Sequence, residues 1–423
     1  MNARGGGWGP TLAIIGGLAA VGLGFVLVPR LLLPAPASES APPASSSVEP
    51  LPTANVSFTA GPYLGVEWQL TTIPADRDAY AWALAEIDGR LVAVGTSPDA
   101  TAAWWSDDGG QTWRPGAIEA PTTPPTETAR TRPRSLAVGP DGLLATGWWT
   151  DQQGEANAIL SSAAWASTDG RAWFDAPLTG LDETILDAVF GTPTGFYATG
   201  FSEVRGESWW HSDDGQAWSP IEPTGINQLM YFPPGVARQG FVNLIVNGGL
   251  KGASSRPAIY LSTNWLDWDQ VYQGEERGYG LARDVAAFDQ GFIAVGQTWD
   301  DPDRQNQDGT FTAWVSNDGY AWQQLTVDAP PGTVGDGIAA NADGAVAIVD
   351  SMRGTGSDAW YLPHGGTPTT VPLPFRVQDI VALPDRFVAV GYCAPVSCGI
   401  VVAIGTPTAS TATTAPTLPP LPD

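Results

Sequence analysis

Basic residues are scarce in this chain. Of 423 residues only 19 are Lys or Arg, against 44 Asp and Glu, and Lys251 is the only lysine. A net charge of −25 leaves no basic patch to neutralise phosphates, which argues against nucleic acid and against anionic membrane surfaces as partners. Histidine is nearly absent as well: His211 and His364 alone argue against zinc chemistry and a Ser-His-Asp triad. Cysteine is limited to Cys393 and Cys398, which flank a four-residue turn. They lack the CxxC spacing of redox or metal pairs, so the expectation is a disulfide formed outside the cytoplasm. Helical periodicity is also missing from the body of the chain, where short apolar runs alternate with Gly, Asp and Pro turns; that pattern argues for an all-β protein.

What the chain has instead is one phrase written five times: SDDGGQTW at 106–113, STDGRAW at 167–173, SDDGQAW at 212–218, STNWLDW at 262–268 and SNDGYAW at 316–322. Each holds a serine, an acidic or amide residue two positions on, and a closing tryptophan: Ser106, Asp108 and Trp113; Ser167, Asp169 and Trp173; Ser212, Asp214 and Trp218; Ser262, Asn264 and Trp268; Ser316, Asp318 and Trp322. A phrase recurring about every 50 residues marks stacked supersecondary units. Asp-Gly and Asn-Gly tolerate positive φ and turn chains tightly, so each phrase predicts a hairpin tip. The carboxylate is expected to accept amide hydrogen bonds inside its own turn, and the tryptophan to bury itself between units.

These phrases resemble the Asp box, or BNR repeat (SxDxGxTW), of sialidase-like β-propellers; four copies match a form one residue shorter, and the copy at Ser262 departs from it at Asn264 and Trp265. The resemblance implies turns between the two outer strands of each blade, on the face away from the ligand, with a structural and not a catalytic role.

Upstream of each phrase lies a pair of apolar strands, and there are seven such pairs, ending near Gly95, Gly147, Gly200, Val246, Gly296, Val349 and Gly391. The sixth unit replaces its box by AWYLPHGGTPTTV, and the seventh lacks a fourth strand. VEWQLTTI at 66–73 has no partner in the first unit. Donated to the last blade, it would close the ring and leave no open edge. The reading is a seven-bladed β-propeller over 62–405, monomeric, that consumes nearly all of the 43% apolar content in one domain.

Ahead of it, residues 1–33 contain TLAIIGGLAAVGLGFVLV at 11–28, an uncharged run long enough to span a bilayer. A signal anchor is expected there; Ala35-Pro36-Ala37 would be the cleavage site if the segment is instead a signal peptide. Residues 34–61 and 406–423 are rich in Pro, Ala, Ser and Thr and read as a disordered stalk and tail. The expected location is extracytoplasmic, tethered to the cytoplasmic membrane.

Chemistry is expected on the face opposite the repeated turns, where the inner strands begin. Their starts are Tyr80, Arg134, Asp187, Gln228, Asp284, Asp336 and Asp379, with Arg283 beside them. Asp187, Asp284, Asp336 and Asp379 recur at one register and are the candidate catalytic carboxylates. Long loops on a rigid scaffold are where binding usually lives, and here they bring the exposed-looking Trp148, Trp149 and Trp299, and Arg256, to the same face; with Arg134 and Arg283 these are the candidate ligand contacts. Asp301, Asp303 and Asp308 make an acidic loop; Ca²⁺ is the one cofactor left open, although the spacing fits no EF-hand. Sialidases would require an arginine triad and a Tyr-Glu pair with an (F/Y)RIP motif. No such motif is present, and Arg134, Arg205, Arg256, Arg283 and Arg353 come with no matching pair. A non-catalytic propeller binding a glycan or a protein is therefore the expectation. The alternative is a glycoside hydrolase working through paired mouth carboxylates.

Overall fold

The computed structural model describes residues 62–418, apart from positions 99, 120–128, 152–157, 182–183, 203–205, 227–234, 248–255, 275–278, 301–308, 326, 352–353, 365, 394–397 and 412–415. Its strands form seven separate sheets arranged as seven blades, antiparallel throughout except for one short parallel strand at the edge of the second. Blade 1 covers residues 80–115, blade 2 covers 129–175 with a short fifth strand at 117–118, and blades 3, 4, 5 and 6 cover 184–221, 236–273, 279–325 and 333–373. Blade 7 takes three strands from 376–408, and its outermost strand is Gly65–Thr72, paired from Gly65↔Thr408 to Thr72↔Val401. One terminus thus closes the other, as the unpartnered strand predicts. Among the described residues no helix is long and apolar enough to cross a membrane. The expected apolar span and stalk lie outside the described residues.

Second and third strands are apolar on both sides because neighbouring blades cover both of their faces. Val92 and Val94 of blade 1 bury against Leu143, Trp165 and Trp173 of blade 2, and Val388 and Val402 of blade 7 bury against Leu91 and Trp104 of blade 1. The inner strands are shorter of bulk, with Ala81, Ala83, Ala85, Ala188, Ala282 and Ala339, since they converge on the axis.

The five repeated turns share one geometry. The serine hydroxyl accepts the amide of the fourth or fifth residue of the phrase, at 2.8–2.9 Å, from Gly110, Gly170, Gly215, Trp265 and Gly319. The closing tryptophan donates its indole N–H to the carbonyl of that same residue, at 2.8–3.1 Å. The acidic or amide oxygen accepts amides inside the turn, as from Thr112 to Asp108, Arg171 to Asp169, and Gln216 and Ala217 to Asp214. These bonds hold Asp108 and Asp214 below the usual carboxylate range, burial acting in the opposite direction. In blade 4, Asn264 Oδ1 takes the amides of Leu266 and Asp267 at 2.9 Å each. Trp265 adopts φ 66 where the other copies have glycine, so the departing copy folds like the rest.

In blade 6, Pro363 and His364 replace the serine turn. The buried His364 ring stacks on Phe288 at 4.2 Å and contacts the Asn341 carbonyl at 3.3 Å, and burial lowers its pKa. Cys393 and Cys398 are joined in a disulfide across five positions.

Candidate ligand-binding mouth of the channel

Each blade is a meander, so the inner strand starts on the face opposite the turn that joins the two outer strands. Near that start, pairing with the second strand skips one residue in six blades: Trp82, Arg134, Asp187, Arg283, Asp336 and Gln378. The corresponding position of blade 4 lies outside the described residues, as does Gln228. A bulge leaves its extra residue unpaired and re-aims its side chain. Repeated around a ring of converging inner strands, it delivers a ring of side chains to one mouth of the channel.

The bulge separates the four carboxylates into two kinds. Asp187 and Asp336 are bulge residues, whereas Asp284 and Asp379 are the next residue along and act as fasteners between blades. Asp284 Oδ2 accepts the Ile338 amide of blade 6 and Oδ1 the Val285 amide, both at 2.8 Å. Asp379 Oδ2 accepts the Leu84 amide of blade 1 at 2.7 Å and Oδ1 the Ile380 amide at 2.8 Å. Ser135 holds the equivalent place in blade 2, its hydroxyl accepting the Val189 amide of blade 3 at 3.1 Å. Each Asp residue is only half-buried as a whole, yet its carboxyl is walled in by the two backbones it bridges. Burial pushes Asp284 up to about 7 and Asp379 to about 6, against the lowering by their amide donors.

Asp336 is engaged differently. It pairs with Arg283 from the neighbouring bulge and lies close enough to Asp350 for the two carboxyls to act on each other. Asp350 is buried at 4% exposure, and receives Arg376 at 2.7 and 2.8 Å and the Ser357 hydroxyl at 2.5 Å. Burial raises Asp336 to about 6; Arg283 opposes the shift and Asp350 adds to it. An Arg283–Asp336–Asp350–Arg376 chain therefore crosses blades 5, 6 and 7. Asp350 and Arg376 were not among the residues the sequence singled out.

The other half of the mouth is aromatic. Tyr392 of blade 7 meets Tyr80 edge-on at 5.3 Å, Tyr80 stacks on Trp82 at 5.8 Å, and the Arg134 guanidinium lies 5.3 Å from the Trp82 ring and 5.1 Å from the Trp148 ring. Trp148 is half-buried, and its indole N–H is fixed on the Leu186 carbonyl of blade 3 at 2.7 Å. Sequence reading places Trp149 and Trp299 as exposed contacts; the structure buries both, at 9% and 4% exposure. Adjacent strand residues face opposite sides, and Trp149 joins the core between blades 1 and 2. Arg256 is half-buried at the entry to the third strand of blade 4. Asp301, Asp303 and Asp308 lie outside the described residues, and among the described residues no group of three His, Cys, Asp or Glu side chains is placed to hold a metal.

No protein-family model and no curated protein matches the sequence. Among solved structures, virginiamycin B lyase from Staphylococcus aureus superposes with a TM-score of 0.50 at 11% identity, covering 81% of this chain and 100% of that one. YCF48 bound to D1 peptide gives 0.49 at 14% identity over 82% and 100%. An α-L-arabinanase of Penicillium chrysogenum complexed with arabinobiose gives 0.42 at 12% identity over 81% and 98%. At 11% identity the likeness to the lyase is one of fold alone.

Proposed function

We propose that this chain is a non-catalytic, extracytoplasmic propeller, tethered to the membrane through residues 11–28, that binds a glycan or a protein ligand at the channel mouth. Its repeated turns are read as Asp boxes of the sialidase-like kind, serving as fasteners on the opposite face. The observation that carries the reading is the commitment of the mouth carboxylates. Asp284 and Asp379 are consumed by backbone amides of adjoining blades, and Asp336 by its ion pair with Arg283. Glycoside hydrolysis needs two carboxyls free to face a sugar, and of the four only Asp187 is uncommitted. The disulfide between Cys393 and Cys398 supports an oxidising compartment. No cofactor is required by this reading, and Ca²⁺ at the acidic loop is the exception to be tested.

The test is an array of glycans, cell-wall polysaccharides and peptides probed with the full chain, with Ca²⁺ and with chelator, and scored for binding and for released sugar. Binding without turnover, weakened by Trp148→Ala, is the expected result. Sugar release that disappears in Asp187→Asn would establish a hydrolase and overturn the proposal.

A further inference from the structure

Two adjacent pairs of blades place an arginine and an aspartate at successive bulge positions: Arg134 and Asp187 in blades 2 and 3, Arg283 and Asp336 in blades 5 and 6. The second pair is closed, its side chains joined in an ion pair. The first is open. Arg134 and Asp187 are near enough to act on each other electrostatically, yet among the described residues they form no ion pair, and neither makes a hydrogen bond through its side chain.

The surroundings of the open pair are those of a binding site. The Arg134 guanidinium packs on two indoles, Trp82 at 5.3 Å and Trp148 at 5.1 Å, and its N–H edge stays without an acceptor among the described residues. That edge matches a planar carboxylate bidentately and suits a point acceptor less well. The Trp82 indole N–H is buried beside it without a partner, a second donor awaiting an acceptor. Charge is sorted by blade: Arg132 adds its charge to that of Arg134 on one side, and Glu207 adds its charge to that of Asp187 on the other. Each like-charge pair is unfavourable alone. A ligand carrying a carboxylate next to an ammonium relieves both at once, whereas a simple anion would relieve one and repel the other.

We propose that the seam between blades 2 and 3 at the channel mouth binds a small zwitterion of the α-amino acid type, its carboxylate on the edge of Arg134 and its ammonium on Asp187. This subsite goes beyond the polymer ligand proposed above but rests on the same reading of the mouth as a binding surface.

Isothermal titration of the full chain with glycine, leucine and phenylalanine, and with the N-acetyl and amide derivatives of each, tests it. At least one free amino acid is expected to bind, and both of its blocked forms to bind at least tenfold more weakly. Arg134→Gln and Asp187→Asn are each expected to weaken binding at least tenfold, and Arg171→Gln, at a repeated turn on the opposite face, to change it less than twofold. The ligand series is read on the unaltered chain and stands even if a variant misfolds. An N-acetyl form that binds as well as its parent reduces the site to a carboxylate site and overturns the proposal; an amide that binds equally overturns it from the other side. Array ligands bound without any amino acid would sink this inference and leave the binding reading standing, and a chain that binds neither would sink both.

Discussion

Trp265 sets two local demands against each other. It occupies the turn position that is glycine in the other copies, at φ 66 where those glycines have φ 77 to 91. A side chain in the left-handed region costs about 1–2 kcal/mol. The same residue is 6% exposed, stacks on Tyr197 at 4.7 Å and 12°, lies 6.4 Å from Phe190, and meets Trp268 edge-on at 5.7 Å. Truncating a buried tryptophan costs about 3–5 kcal/mol. Trp265→Gly should keep the indole bond from Trp268 to the carbonyl of position 265 and relieve the strain, yet leave a cavity at the seam of blades 3 and 4. The net expectation is a loss of about 1–4 kcal/mol, packing outweighing backbone. For a domain of about 350 residues that corresponds to a Tm lower by about 1–5 °C if unfolding is two-state. Urea denaturation followed by near-UV circular dichroism measures both the loss and its cooperativity. A variant as stable as the parent would mean that the four-ring cluster contributes nothing net, and the claim that packing overrides turn chemistry here would be wrong.

The fasteners between blades should show as stability. Asp284→Asn and Asp379→Asn each turn one acceptor toward a buried amide into a donor, and each should cost about 1–3 kcal/mol in urea midpoint terms, with Ser135→Ala at the low end. Stability should also depend on pH with a sign opposite to that of paired carboxylates. Asp187, Asp336 and Asp379 at about 6 and Asp284 at about 7 sit above the ordinary 3.8, so the folded state binds more protons between those limits, and Tm should fall as pH rises from 4 toward 7. Asp284→Asn should flatten that slope, and a Tm that climbs across the window would refute the assignment. Arg376→Met leaves Asp350 buried beside a second carboxyl and should cost about 3–5 kcal/mol, part of it restored by adding Asp350→Asn. Reducing the Cys393–Cys398 bond, which closes a loop of separation five, should cost about 2 kcal/mol by loop entropy, read as the difference in urea midpoint with and without reductant.

The repeated turns were legible because everything that makes them is local. Serine, carboxylate, glycine and indole satisfy one another within eight residues, and even Trp265 left its mark as the residue standing where glycine belongs. Ring closure was legible by strand arithmetic, since 66–73 had no partner nearby and blade 7 lacked one strand. The mouth was only half legible, and the reason is the bulge. A bulge adds one residue to a strand whose side chains alternate with period two, so a register read from sequence lands one position off wherever the motif offers two polar neighbours. Arg283-Asp284 and Gln378-Asp379 are such pairs, and in each the aspartate turned out to be the fastener while its predecessor took the channel. Arg134-Ser135 shows the same division with a hydroxyl in place of the carboxylate. Asp350 was hidden for a different reason: it ends an apolar strand, and only its pairing opposite Val334 brings it under the Asp336 bulge. A lone carboxylate closing a buried strand, with an arginine opening the next inner strand at 376, was the signal available. Charge balance asks what neutralises such a group, and that question leads to Arg376 without any knowledge of the fold.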